Sequence, residues 1–470
     1  MVSNERKHRL NRTLFFLKNR LFRASAVSFY KRLLAIERSS AQELAAVNQR
    51  KRTELLLLAF DQVPHYRRRF LAAGIKRTDL HDAETFAQLP SLTRQQVIDG
   101  FSDLRASSAR PEFYSKVTTG GSTGTPLAVL TDRRVPLETA WWRVARWWGV
   151  APSDDIAFIF RTKRTPLRAL ANSALWWPTK RIFLDASLLT TTSMASFARR
   201  YRAIRPAIIQ GYVGAVFEFA QFLQAARLTL PPPRAVWVTS APLPESQRAF
   251  MEEVFRAPVY DQYGSCEIGW LACECQQQHG LHIMEDLRHI EIVDDAGQPV
   301  PDGEWGRILV TDLENRVFPL IRYELGDRAR RLPSQCPCGL TLPLMDKVRG
   351  RVSDAIRLPG GSSISGEYLT TIFDHQPEAI IQFQVQQHRD YSISLRCVPG
   401  HSPRAREVIT SARESLQRKV GPTVPVRLEL VDHIPHDRGK TRFIMSDLRP
   451  PEATSGEAQS EAGPSARTRP

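Results

Sequence analysis

No stretch of the 470 residues approaches the about 18–20 consecutive apolar residues that a bilayer-crossing helix requires. The N-terminus also lacks an uninterrupted apolar core, because Lys18, Arg20 and Arg23 break up its hydrophobic residues, so no secretory signal is expected. Cysteine is scarce, at six residues. Without a signal peptide, that usage argues for a reducing cytoplasm and against a disulfide framework. Acidic residues are outnumbered, 49 Asp+Glu against 65 Lys+Arg, for a formal charge of +16. Such a field favours polyanionic partners: ATP, coenzyme A, acidic carrier proteins, nucleic acid or anionic lipid. Zinc-finger, RRM and helix-turn-helix patterns are missing, so nucleic acid is not an expected partner. There is no internal repeat. Residues 450–470 contain no aromatic or large aliphatic side chain, and they read as a disordered tail that cannot offset the entropy of ordering.

What remains is enough for two or three packed domains, since 42% of the residues are hydrophobic and single cores stop growing near about 250–300 residues. Residues 1–52 hold thirteen Lys/Arg against three Glu. Leu10, Leu14, Leu17 and Leu21 recur there at helical spacing, with Phe22, Phe29 and Leu33 extending the pattern. Two readings follow. The segment is either a basic helix whose leucine stripe packs on the main domain, or an amphipathic helix whose residues 1–35 rest on the cytoplasmic face of a membrane. From Glu54 to Leu104 the pattern is helical, with breaks at Pro64 and Pro90. Ile156–Phe160, Ala207–Gln210 and Ala235–Thr239 then read as buried strands. Helices over Ala215–Ala226 and Glu245–Arg256 share this region, which predicts an α/β domain with a parallel core over 53–350. His289–Val293 and Arg307–Asp312 read as a hairpin. Residues 351–449 read as a smaller α+β domain, in which Phe383/Val385, Ile393/Leu395 and Val426/Leu428/Leu430 alternate with period two, and a helix over Pro403–Lys419 precedes the last of them.

Five short patterns carry chemistry. Thr118-Thr119-Gly120-Gly121-Ser122-Thr123-Gly124-Thr125-Pro126 can wrap phosphate oxygens with N–H and O–H donors. It is not a Walker A loop, because no Gly-Lys-[Ser/Thr] follows. Tyr263-Gly264-Ser265-Cys266-Glu267 offers a carboxylate for Mg²⁺ and a ring for a base. Arg322-Tyr323-Glu324-Leu325-Gly326-Asp327 reads as a Gly-Asp pair ending a strand, suited to a ribose. Arg349-Gly350-Arg351-Val352-Ser353-Asp354 sits at the expected domain boundary. Pro435-His436-Asp437-Arg438-Gly439-Lys440 puts a mobile cation on a glycine turn. Singly, each also reads as an ordinary turn.

In this order and spacing, the five resemble the adenylate-forming (AMP-binding) superfamily, and more narrowly the phenylacetate–coenzyme A ligase family with its capsular-polysaccharide branch. Val63-Pro64-His65-Tyr66-Arg67-Arg68, Leu89-Pro90-Ser91-Leu92-Thr93, Gln210-Gly211-Tyr212 and Val300-Pro301-Asp302-Gly303-Glu304-Trp305-Gly306 add to the resemblance, which covers roughly residues 55–445. It implies that the 118–126 loop holds the ATP phosphates and Glu267 binds Mg²⁺. Tyr263 would pack on adenine, with Ser240, Ala241, Pro242 and Gly264 lining the nucleotide, and Asp327 would hold the ribose. Asp354 would be the hinge, with Arg351 beside it, and Lys440 would promote adenylation before the small domain swings to admit a thiol. Gly211 and Tyr212 would border the acyl pocket, where an aromatic ring suits an aromatic acid. Cys266, Ala241 and Leu127 depart from the superfamily's usual Thr, Gly and basic residue.

The same resemblance implies a structural Zn²⁺ site from Cys275, His282, Cys336 and Cys338, with Cys273 and His279 as nearby competitors. Trp141, Trp142, Trp147 and Trp148 read as core. The expected activity is ATP-dependent conversion of a carboxylic acid to an acyl-adenylate, then thioester formation with coenzyme A. The alternative acceptors are a carrier protein or a polysaccharide hydroxyl or amine.

Overall fold

The computed structural model describes residues 2–119, 127–161, 172–186, 189–333, 335–348, 356–359, 363–364, 379–434 and 444–448. The chain begins with four helices: α1 (Val2–Phe22), α2 (Ala24–Ile36), α3 (Ala41–Gln62) and α4 (Pro64–Ala72). Ser40 starts α3 through a capping box with Glu43, and Pro64 occupies the first turn of α4, where a missing N–H costs nothing. Two short helices follow, α5 (Ala83–Gln88) and α6 (Arg94–Asp99), capped by Asp82 and Thr93. The tryptophan-rich α7 (Glu138–Trp147) is buried on nearly every position, and Trp148 beyond its end stacks on Tyr260 at 5.2 Å. All four tryptophans of this stretch are core.

The helix α1 does pack on the main body, but not through the stripe that its leucines suggest. Phe15 and Asn19 are the buried positions, and Phe15 meets Trp142 edge-on at 5.2 Å. Leu10, Leu17 and Leu21 face outward. The physical reason is that the aromatic surface of α7 and α2 selects rings, and Phe15 and Phe16 lie on the opposite side of the helix from the leucines.

Nine strands form the main sheet, in the order Arg331–Leu332 (β13), Leu344–Met345 (β14), Leu281–Ile283 (β9), Gly269–Glu274 (β8), Val259–Ser265 (β7), Ala235–Thr239 (β6), Ile208–Tyr212 (β5), Ile156–Phe160 (β3) and Arg181–Asp185 (β4). The five from β7 to β4 are parallel and the rest antiparallel. Buried runs without alternation, such as Ala-Val-Trp-Val in β6, are what a strand covered on both faces requires. Helices α8 (Thr191–Ile204), α9 (Val213–Ala225) and α10 (Glu245–Phe255) form one apolar cluster with these strands. Chain order reverses between β3 and β5, so the sheet has a switch point there.

A second sheet joins Arg288–Val293 (β10), Gly306–Asp312 (β11) and Tyr323–Ala329 (β12), and a hairpin pairs Tyr114–Thr119 (β1) with Leu127–Asp132 (β2). The Gly326-Asp327 pair does not end a strand. It lies inside β12 where the register to β11 shifts, with Gly326 at φ +82°. A bulge pushes these residues out of the ladder, and glycine takes the left-handed conformation without strain.

The smaller unit has its own core. Its four-stranded sheet runs Val426–Leu430 (β19), Ile393–Pro399 (β18), Ile380–Gln387 (β17) and Ile444–Ser446 (β20), and the helix Ala405–Val420 (α11) packs on it. The pairs β18–β19 and β17–β20 are parallel and β17–β18 antiparallel. The chain is thus a mixed α/β protein with a parallel-strand core and a smaller α+β unit. One short antiparallel pair, Ile356–Arg357 (β15) with Ser363–Ile364 (β16), precedes the smaller sheet.

Candidate active site

In an open α/β sheet, the crevice outside the carboxyl ends of the strands at a switch point is where ligands bind. Here that edge carries Phe160 from β3, Tyr212 from β5, Ser240 just after β6 and Tyr263 to Glu267 at the end of β7. Tyr212 pairs in register with Thr239, and Thr239 with Gln262, so the strand ends are neighbours. Gly211 has no room for a side chain, since an added Cβ would lie 2.5 Å from Val216 Cγ2 and 2.8 Å from the Ile159 carbonyl oxygen. Ser240 sits at φ +74°, a left-handed conformation that costs a non-glycine residue on the order of 1–3 kcal/mol. The turn it opens, Ser240-Ala241-Pro242, leads into α10.

From β7 the Tyr263 hydroxyl donates to Asp327 Oδ2 at 2.8 Å, which brings the bulge of β12 against the edge of the main sheet. Gly264 is tightly enclosed, and a Cβ there would meet the Gly269 carbonyl oxygen at 2.5 Å. Glu267 lies in the turn between β7 and β8, its side chain 11% exposed, with Arg94 Nη1 at 3.7 Å.

The stretches around Tyr66 and Ser91 hold β12 in place. Tyr66 is buried, donates to the Pro319 carbonyl at 3.0 Å and accepts from the Ile321 N–H at 2.9 Å. Ser91 donates to Glu324 at 2.6 Å, and Leu92 exchanges backbone bonds with Arg322 and Glu324. Arg322 is buried and binds Glu291, the carbonyls of Ala87 and Leu89, and that of Gly297. Its role in fastening the bulge has no signature in the sequence.

Thr118 is exposed near the end of β1, and Thr119 is the last residue of that strand. Gly120, Gly121, Ser122, Thr123 and Gly124 lie outside the described residues, as do Arg351, Asp354 and Lys440. Sequence reasoning missed an aromatic row beside Tyr212. Phe160 meets Tyr212 edge-on at 4.9 Å and Trp237 at 6.2 Å, and Trp237 lies 4.7 Å from Trp270. Phe160 was legible as part of a strand, while its neighbours come from strands remote in sequence.

On the antiparallel side of the sheet, Cys275, His282, Cys336 and Cys338 bring their donor atoms within 4.8 Å of one another. Cys275 Sγ lies 3.5 Å from Cys336 Sγ, and Cys338 Sγ lies 3.3 Å from His282 Nε2. The residues come from three places: the end of β8, strand β9 and the loop before β14. His282 Nδ1 is 3.1 Å from the Leu342 carbonyl, which fixes the ring with Nε2 toward the thiols. Burial pushes the Cys275 thiol up to about 12 and holds His282 below its ordinary value. A tetrahedral Zn²⁺ with Zn–S of about 2.3 Å needs ligand atoms about 3.8 Å apart, so the donor set and its spacing fit that ion. The competitors fall away. Cys273 turns to the Asp261 carbonyl at 3.6 Å, and neither it nor His279 joins the cluster. Cys397 is buried in the smaller unit and Cys266 is exposed.

Residues 357–447 match the CapK C-terminal domain family. Over 438 residues the chain is 25% identical to phenylacetate-coenzyme A ligase of Escherichia coli (strain K12), covering 88% of this chain and 97% of that protein. Over 379 residues it is 19% identical to Protein CapK of Staphylococcus aureus, covering 77% and 80%. Among solved structures, 2-hydroxyisobutyryl-CoA ligase in the postadenylation state superposes with a TM-score of 0.72 at 20% identity, covering 87% of this chain and 91% of that one. The chain is thus similar in sequence to phenylacetate-coenzyme A ligases and to CapK over most of its length, and it shares the fold of 2-hydroxyisobutyryl-CoA ligase.

Proposed function

We propose that the protein activates a carboxylic acid with ATP to an acyl-adenylate, releasing pyrophosphate, and transfers the acyl group to the thiol of coenzyme A, releasing AMP. The observation that carries this reading is the Tyr263–Asp327 hydrogen bond at the sheet edge that also bears Ser240 and Glu267. A ring, a strained turn and a carboxylate at the ends of β6 and β7, faced by the Asp327 carboxylate from the bulge of β12, suit a nucleotide laid across the carboxyl edge of the sheet. In this reading Tyr263 packs on the adenine, Asp327 accepts from the ribose hydroxyls, and Ser240, Ala241, Pro242 and Gly264 line the base. The 118–126 loop takes the phosphates. Glu267 would hold Mg²⁺, which would supply positive charge where carboxylate and phosphate repel. Arg94 shares that negative ground.

Attack of a carboxylate on the α-phosphate brings like charges together, so a cation at the reacting oxygens lowers the barrier. Lys440 fills that role, and Asp354, with Arg351, is the hinge about which the smaller domain exchanges adenylation for thioester formation. Gly211 and Tyr212 border the acyl pocket. The Phe160–Tyr212–Trp237 row gives that pocket an aromatic wall, which favours an aromatic acid. The Cys275, His282, Cys336 and Cys338 set holds a structural Zn²⁺ remote from this chemistry.

Carboxylate-dependent ATP–pyrophosphate exchange over a panel of aryl and alkyl acids tests the first half-reaction. The expected outcome is exchange with an aryl acid that falls by about 10²–10³-fold in Lys440→Ala, and product formation that requires coenzyme A. Exchange that is indifferent to Lys440, or absent with every acid, would count against the reading. A product formed without coenzyme A would move the acceptor to a carrier protein or a sugar.

A further inference from the structure

Three of the four leucines of the α1 stripe are more than half exposed. Leu10, Leu17 and Leu21 follow one another at spacings that keep them on one helix face, and they are 58%, 52% and 68% exposed. Phe22, one residue on, is 80% exposed. Lys18, on the flank of the helix, donates to the carbonyl oxygens of Leu175 and Trp177, the latter at 2.7 Å. That contact fastens a second exposed pair beside the first, Leu175 at 63% and Trp177 at 54%. Of the eight exposed large apolar side chains among the described residues, six are therefore in this one patch.

The charge around the patch is mostly positive, the exception being Glu138, which pairs with Arg23. Residues 6–36 carry nine Lys/Arg and no Asp or Glu. Arg12, Arg20 and Arg23 are exposed. Burial, and then Arg181 and Arg23, hold the Lys18 ammonium below its ordinary value, so several cations crowd the same ground. An acidic protein would answer the cations but not a convex aliphatic stripe along a helix of 21 residues. A bilayer surface answers both, with acyl chains for the leucines, headgroup charge for the cations and the interfacial zone for Phe22 and Trp177. Among the described residues no helix is long and apolar enough to cross a membrane.

We propose that this face docks on an anionic lipid bilayer, with α1 lying in the membrane plane and its leucines, Phe22 and the Leu175–Trp177 turn immersed at the headgroup–acyl boundary. The proposal stands independently of the activity. The test is co-sedimentation of the full-length protein with vesicles of phosphatidylcholine alone and of phosphatidylcholine mixed with phosphatidylglycerol. Binding is expected to the mixed vesicles, weakly to the neutral ones, and to fall as salt is raised. Leu17→Gln/Leu21→Gln is expected to weaken it at least about tenfold, with circular dichroism and melting unchanged because both side chains are already in water. Arg12→Gln/Arg20→Gln should weaken binding only to the anionic vesicles, by about fivefold per charge. Absence of wild-type binding to anionic vesicles would overturn the proposal, as would binding untouched by the leucine pair. A leucine variant that turns a dimer into a monomer would assign the face to a second copy of the chain instead.

Discussion

A methyl group added at Gly211 would collide with Val216 Cγ2 at 2.5 Å and with the Ile159 carbonyl oxygen at 2.8 Å, and neither backbone nor a packed valine has room to yield. Gly211→Ala is therefore expected to cost about 1–3 kcal/mol, read as a fall in the melting temperature of several degrees; an unchanged melting curve would show that the strand ends can part. Tyr263→Phe removes the hydroxyl donor to Asp327 and keeps the ring. The hydrogen bond is worth about 1 kcal/mol, so ATP is expected to bind about fivefold more weakly by calorimetry, with the melting temperature held. His65 supplies a pH readout. Burial, then Arg69 and Arg68, lower its pKa to about 4, against the pull of Asp103. A depressed folded pKa means the unfolded chain takes up the proton first, so the stability from neutral His65 is full above about pH 6.5. It is lost as pH falls toward about 4. His65→Gln should flatten the stability–pH curve in that window alone, measured by thermal melts at several pH values.

At the scale of elements, the Cys275–His282–Cys336–Cys338 cluster ties the turn after β8, strand β9 and the loop before β14 into one clip. Metal analysis of the purified chain is expected to give one zinc per molecule. Cys336→Ser should lose the zinc and lower the melting temperature, because structural zinc contributes directly to folding; a metal-free wild type with the same stability would make the cluster four buried side chains and no more. The sequence named this set through the family resemblance, and its spacing alone did not remove Cys273 and His279 as competitors. Residues two apart on a strand share a face, so periodicity does not separate the two thiols; it is the fold that turns Cys273 to the Asp261 carbonyl and brings Cys275, just past the end of β8, to Cys336. The strands Ile156–Phe160 and Ala235–Thr239 were readable because strands covered on both faces must be apolar throughout. The bulge at Gly326-Asp327 was not, since it arises from a register shift against β11. Nor was the aromatic row, because Phe160, Tyr212 and Trp237 become neighbours only through strand order. The N-terminal stripe misled for a related reason. Periodicity identifies an apolar face, but the neighbouring surface decides whether that face turns inward, and the rings of α7 chose Phe15 over the leucines.

For the molecule as a whole, the consequence is that the N-terminal helices are part of the core while also bearing an uncovered face. Phe15, Phe29, Tyr30 and Leu33 are all at most 7% exposed and share one cluster with Trp141, Trp142 and Trp148. Tyr30 meets Trp142 edge-on at 5.6 Å, and Glu37, at the end of α2, binds Arg146 at 2.6 Å and the Trp147 indole at 3.2 Å. Burying a large apolar side chain stabilises by about 1.5–3 kcal/mol, so these four together contribute on the order of 6–12 kcal/mol. That is comparable with the whole stability of a typical domain, about 5–15 kcal/mol. Deleting residues 1–36 would also leave Trp142 facing water and the Arg146 guanidinium deprived of the helix that approaches it. The truncated chain is expected to be poorly soluble, or to melt at least about ten degrees lower, in differential scanning calorimetry. Leu17→Gln/Leu21→Gln in the full-length chain should melt with the wild type. If the truncated protein instead kept its melting temperature, the helices would be an appendage, and the cluster around Trp142 would have to close over by itself. The contrast between the two variants separates what α1 and α2 do for the fold from what the outer face of α1 does beyond it.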